Sequence, residues 1–184
     1  MAVRILGIDP GLAHMGLAEA DLLPDGTLVP ISLVVFETKK SDKKNKVLSG
    51  DDDFRRTLEL ARFVAPFFAR ARVVTTEGAS WPRNNRNCQL IGRSWGVVAT
   101  NVEALKLPVA SASPQSIKKR MCGVNNAPKE DVQKALDAMF GYKLRPLLGP
   151  KVPEGSVEHP YDALGSIVAC LDSDILKAAR QFAA

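Results

Sequence analysis

Asp9, Glu77 and Asp162 are the residues of this 184-residue chain best placed to act together chemically. Asp9 ends the apolar run Val3 to Ile8 and opens an Asp9-Pro10-Gly11 turn, Glu77 ends the run Val73 to Thr76, and Asp162 falls in the first turn of an apolar helix. Acids at the ends of such elements converge where loops meet a sheet edge, and clustered carboxylates repel one another unless cations neutralise them. A divalent metal site is the expected resolution. His159, three residues before Asp162, shares a helix face with it if the helix has begun by then. Two ions about 4 Å apart would activate water and stabilise a leaving 3′ oxygen during in-line attack on a phosphodiester, with Asp9 as the best bridging ligand. The chain has two histidines, His14 and His159, and no Ser-His-Asp or Cys-His arrangement offers a competing nucleophile.

The elements that must position these groups follow from the apolar pattern. Val3 to Ile8 and Met15 to Ala20 flank the turn as a hairpin, and Leu28 to Phe36 is a third β-rich run whose Pro30 calls for late pairing or an edge. Phe54, Leu58, Ala61, Ala65 and Phe68 have helical spacing, with Asp52 or Asp53 as cap and Pro66 as a kink or early end. Val73 to Thr76 reads as a buried strand, Ile91, Trp95, Val98, Val102 and Leu105 as an amphipathic helix, and Leu107 to Ala110 as the next strand. Helices are expected over Pro114 to Met121 and from Pro128 to Gly141, then a long loop from Lys143 to Glu158. A last helix opens at Pro160, with the stripe Leu164, Ile167, Val168, Leu171 and Ile175. Three strands followed by strand-helix alternation predict one α/β domain over residues 1–184, with a mixed five-stranded sheet, three strands antiparallel and two parallel, flanked by helices.

A formal net charge of +5 favours a polyanionic partner. Basic residues crowd into Lys39 to Lys46, Arg83 to Arg93 and Lys118 to Arg120, each of which, taken alone, reads as a solvated loop or helix face. No run approaches the ~18 apolar residues of a membrane span, and no secretion signal is readable. Three unpaired-looking cysteines suggest neither a disulfide framework nor a zinc site, so a cytoplasmic setting is expected.

In the order in which they occur, the motifs resemble those of the RuvC family of Holliday-junction resolvases. They are Ile5-Leu-Gly-Ile-Asp-Pro-Gly11 with Gly16; Glu77, then Leu90-Ile-Gly92 and Gly96; Ser113-Pro-Gln-Ser-Ile-Lys118 with Gly123 and Lys129-Glu-Asp-Val-Gln133; and His159-x-x-Asp162-Ala-Leu. The set spans most of residues 3–172. The resemblance implies a ribonuclease H-like fold, a homodimer, and magnesium-dependent paired nicking of four-way DNA junctions. It carries Asp9, Glu77 and Asp162 onto acidic metal-ligand positions, and His159 onto one where the family has Asp or His. A neutral imidazole there suits manganese better than magnesium.

The resemblance also puts Lys118 and Lys129 near the scissile phosphate, with Lys118 in a catalytic role and Lys119 beside it on DNA. Trp81 falls where the family often carries an exposed aromatic, placed either to stack on an unpaired base or to pack under its loop. Arg83, Arg86 and Arg93 are candidate phosphate contacts. The stripe of Ile91, Trp95 and Val98 belongs either to a dimer interface or to the core. Two other classes fit less well. An actin-like kinase needs a second phosphate loop and a second domain of similar size, neither of which is present here, and a catalytically silent DNA-binding protein need not retain four candidate ligands. A nuclease of the same fold acting on flaps, forks or hybrids remains open on the residues alone.

Overall fold

The computed structural model describes residues 1–78, 84–148 and 152–183. Five strands form one sheet: β1 (Val3–Asp9), β2 (His14–Leu22), β3 (Leu28–Glu37), β4 (Val73–Glu77) and β5 (Val109–Ala112). Their order is β3-β2-β1-β4-β5, with β1/β2 and β2/β3 antiparallel and β1/β4 and β4/β5 parallel, the mixed sheet expected. Helices α1 (Ser49–Arg70) and α2 (Asn85–Leu105) cover one face. Helices α3 (Pro114–Cys122), α4 (Lys129–Phe140), α5 (Glu158–Cys170) and α6 (Asp174–Ala183) build the other side. Two cores result. Leu6, Ile8, Leu60, Val64, Phe68 and Val98 fill the first, while Val3, Ile5, Leu136, Leu164 and Ile167 belong to the second.

Strand parity decides where the acids point. Side chains alternate faces along a strand, so Asp9 shares the face of Val3 and Ile5, and Glu77 that of Val73, which is the face covered by α5. On β2 the same face carries Ala18, Ala20 and Leu22, hence also His14 and Gly16. Pro30 sits on edge strand β3 at an irregularity: Glu19 pairs with Ser32 and Ala20 with Pro30, leaving Ile31 as an extra residue. That bulge shifts parity by one, so Leu28 and Leu33 both reach the α5 side.

The helix expected from Phe54, Leu58, Ala61, Ala65 and Phe68 forms, but its start and its buried face differ. It begins at Ser49, so Asp52 and Asp53 lie inside it rather than capping it. Its inward residues are Asp52, Asp53, Arg56, Leu60, Val64 and Phe68, while Phe54 is 59% and Leu58 37% exposed. The polar residues go inward because partners await them. Thr38 Oγ1 accepts from Arg56 Nε at 2.9 Å and donates to the Leu12 carbonyl, and Arg86 grips Asp53 through both terminal guanidinium nitrogens. Pro66 does not end the helix; it lies on the exposed side, where the carbonyl that a proline releases can face solvent.

Three further boundaries move. The strand expected at Leu107 to Ala110 is β5, two residues later. The segment expected as a long loop from Lys143 contains 3-10 turns at Arg145–Leu148 and Glu154–Ser156. The last helix is two, because the chain breaks after Cys170; Leu164, Ile167 and Val168 lie on α5, but Ile175 belongs to α6. Among the described residues no helix is long and apolar enough to cross a membrane.

Candidate active site

Helix α5 is buried along almost its whole length, from Pro160 to Cys170, and packs across β1, β2 and β4. It comes unusually close to the sheet because β1 and β2 present glycines beneath it. A β-carbon at Gly16 would lie 2.8 Å from Pro160 N and nearer still to the His159 carbonyl, and one at Gly7 would collide with the Ala163 carbonyl. Thr75 and Ser166 join β4 to α5 by a buried hydroxyl pair at 2.8 Å, and Ser166 donates on to the Ala163 carbonyl. The helix has begun at Glu158, so His159 and Asp162 both stand in its first two turns above the ends of β1 and β4.

Asp9, Glu77 and Asp162 converge there, each offering a carboxylate oxygen within 4.8 Å of the others. They line a cleft of about 310 Å³ with His159, Lys118, Lys129, Pro114, Ile117 and Val132. The cleft opens at the carboxyl ends of the parallel strands, where open α/β sheets bind ligands. A larger groove of about 660 Å³ lies at the opposite strand ends, by Val3 and Val73, and holds none of these acids.

Burial, then the charges of Asp9 and Asp162, pushes Glu77 up to about 8 against the opposing pull of Lys129 and Lys118. Burial, then Asp9, raises Asp162 to about 6, again against Lys129. Both shifts come from anionic oxygens crowded out of water with too little positive charge nearby, and a divalent cation relieves that crowding. The all-oxygen, partly buried set fits a hard cation.

His159 stands beside this trio rather than within it. Its Nδ1 lies 2.7 Å from Asp9 Oδ2, a pairing that raises the imidazole pKa despite its burial. Lys129, at the start of α4, lies 2.8 Å from Glu158 and 3.7 Å from Asp162. Burial alone would lower its pKa, but the hydrogen bond to Glu158 and the charges of Asp162, Glu158 and Asp9 outweigh it and raise it. The ammonium therefore stays charged at the cleft wall.

The remaining expected residues are dispersed. Lys119 is exposed on α3, one residue past the cleft-lining Lys118, and Arg93 is half-buried on α2. Arg86, expected on phosphate, is ion-paired with the buried Asp53. Trp81 and Arg83 lie outside the described residues. Sequence reading passes over two site neighbours. Glu158 holds Lys129 and has no separate signature. His14, whose ring stacks on His159, stands two residues before Gly16 on the same strand face, so parity alone could have found it.

A mixed sheet in this order is the ribonuclease H-like fold, and the carboxylates gathered at its rim make a candidate divalent-metal site. The model of the family described as crossover junction endodeoxyribonuclease RuvC matches residues 5–146, and the chain belongs to that family. Its relatives include the crossover junction endodeoxyribonuclease RuvC of Moorella thermoacetica, 26% identical over 144 residues (77% of this chain, 80% of the relative). The protein of the same name from Thermus thermophilus is 28% identical over 145 residues, 77% of this chain and 82% of the relative. Among solved structures, Thermus thermophilus RuvC in complex with a Holliday junction substrate superimposes with a TM-score of 0.68 at 20% identity, covering 91% of this chain and 92% of that one. The yeast mitochondrial Holliday junction resolvase gives 0.65 at 14% identity, covering 98% and 83%. At those identities the structural likeness speaks for the fold.

Proposed function

We propose that this chain acts as a homodimer to resolve four-way DNA junctions by paired, symmetric nicks, using Asp9, Glu77 and Asp162 to hold Mg2+ or Mn2+, two ions per site. The observation that carries the reading is the convergence of those three carboxylates in a cleft whose walls bear Lys118 and Lys129. Asp9, Glu77 and Asp162 would hold the divalent ions, which would activate a water and neutralise charge on the leaving 3′ oxygen. The chain's own groups do the rest. Lys118 is suited to hold the scissile phosphate as a point charge and to stabilise charge building on its oxygens. Lys129, anchored on Glu158, keeps a positive charge beside Asp162. His159, through Asp9, orients the carboxylate at the end of the central strand. Lys119 and Arg93, with Trp81 and Arg83 of the segment after Glu77, are candidates for contacting the DNA arms. Two-fold symmetry is the simplest source of paired cuts, since it sets two copies of one site on symmetric strands.

The test is cleavage of synthetic four-way, three-way, flap and linear duplexes in Mg2+ and in Mn2+, beside Asp9→Asn and Glu77→Gln. Symmetric nicks on the four-way junction that vanish in both variants are expected. Preferred cleavage of flaps or forks would move the substrate within the same class, and binding without cutting in either metal would overturn the nuclease reading. Sedimentation at micromolar concentration checks the dimer.

A further inference from the structure

The chain's two histidines stand together, His159 in the cleft wall and His14 stacked beside it. The His14 ring stands 5.4 Å from that of His159, centroid to centroid, with 7° between their planes, an offset-stacked arrangement. His14 opens β2 and pairs across the ladder with Glu37 at the end of β3. Its Nε2 lies 3.7 Å from Glu37 Oε1, and that same oxygen accepts a hydrogen bond from Ser156 Oγ at 2.6 Å, in the turn that leads into α5. On its main-chain side, the His14 carbonyl is so close to Gly11 that a β-carbon there would collide with it, so the turn following Asp9 rests directly on His14. One residue is thus linked to the His159 ring, to the turn that leads into α5 and to the turn that leaves Asp9.

We infer that His14 is a positioning residue: its imidazole, stacked on His159 and 3.7 Å from a Glu37 that Ser156 holds, fixes the ring plane of His159 so that Nδ1 stays on Asp9. A carboxylate oxygen accepts hydrogen bonds, so in this pairing His159 donates through Nδ1–H to Asp9 Oδ2. Without the stacked ring, His159 has one hydrogen bond to set its torsions and an open side facing solvent. The bond to Asp9 is then intermittent, and the Asp9 carboxylate loses a fixed orientation. This rests on the nuclease reading for its effect on rate, but not for the geometry itself.

The experiment therefore has two arms. With only two histidines, long-range proton-nitrogen correlation spectra of the metal-free protein, taken without DNA and at one fixed pH, resolve each imidazole. His14→Ala should move the His159 Nδ1 signal away from its hydrogen-bonded position toward that of an imidazole in water, while His14→Phe, which keeps a stacked ring, should largely preserve it. In junction cleavage, His14→Ala should lower kcat about tenfold with little change in KM, a loss in the range that mispositioning of a catalytic group produces, and His14→Phe should recover most of it. Glu37→Gln, which leaves the ring but removes the charge beside it, should fall between them. Unchanged His159 signals in His14→Ala would overturn the proposal, as would a rise in KM alone, which would make His14 a direct DNA contact. If the wild-type protein cuts no substrate, the nuclease reading fails while the spectra still decide the positioning role.

Discussion

Gly16 of β2 lies beneath His159 of α5 so closely that a β-carbon would meet Pro160 N at 2.8 Å and clash with the His159 carbonyl. The clash would be with backbone, which cannot rotate away. Gly16→Ala must push the start of α5 off the sheet, and overpacking of this kind costs about 1–3 kcal/mol. The expected result in urea unfolding is a loss in that range, with junction cleavage falling further than stability because His159 and Asp162 ride on the displaced turn. Gly50→Ala, where nothing lies within 4 Å, is the control and should stay within about 0.5 kcal/mol.

The raised carboxylates set the pH dependence of the metal-free protein. Glu77 binds its proton up to about 8 when folded but near 4.5 when unfolded, and Asp162 up to about 6 against 3.8. The folded state therefore holds more protons, so the stability they contribute is full below the unfolded values and is lost as pH rises through the folded ones. Urea unfolding without metal should show stability falling between about pH 4 and 8, by an amount on the order of a few kcal/mol. Glu77→Gln should flatten the upper part of that window, and saturating Mg2+ should remove most of the decline, since binding requires the ionised acids. A metal-free stability that rises over the same range would contradict the site's electrostatics.

The family resemblance would make His159 a fourth metal ligand, and an imidazole that reaches the metal in place of a carboxylate would bring less negative charge and a softer donor. Initial cleavage rates in Mn2+ are expected to equal or exceed those in Mg2+, and His159→Asp should tilt the ratio back toward Mg2+. Full activity in Mg2+ with none in Mn2+ is the outcome against it.

Arg86 donates to Asp53 Oδ1 at 2.6 Å and also grips Oδ2, and the Asp53 side chain is 1% exposed. Removing one partner of a buried pair strands the other, at a typical cost of about 3–5 kcal/mol for the more buried member. Arg86→Ala should be strongly destabilising because it strands the buried Asp53, whereas Asp53→Asn leaves Arg86 able to turn to water at 38% exposed but also deprives the buried Arg56, 3.8 Å away, and the double variant should lose less than the sum. Arg86→Ala that weakens DNA binding with an unchanged unfolding midpoint would instead assign it to phosphate.

The same pair explains where the sequence is legible and where it is not. Apolar runs ended by Asp9 and Glu77 are enough to place two acids at strand ends, because a buried strand announces itself by composition. Parity, applied to those strands, gives the face. Periodicity misplaces the inward side of α1 because it assumes that apolar residues go inside. Asp53 and Arg56 are buried instead, as Arg86 from α2 and Thr38 after β3 satisfy them, and partners that distant in sequence leave no local signal. Among the described residues Arg56 Nη1 still has no hydrogen-bond partner, with Asp53 3.8 Å away. The break between α5 and α6 is hidden for the opposite reason: the apolar stripe runs across it, and the chain turns at Leu171 without a glycine or proline to mark it. The pairing of His159 with Asp9 joins residues 150 positions apart, which spacing cannot show.

Helix α5 carries two of the site residues at one end and is enclosed by the sheet and by α3 and α4 for the rest of its length. Its amides can reach deuterated solvent only when the layers around it separate, so they should be among the last to exchange, with the free energy of global unfolding. The nuclease centre is then tied to the least yielding part of the molecule, and heat or denaturant should extinguish cleavage and fold in a single step, with no loosened but intact protein that has lost only its chemistry.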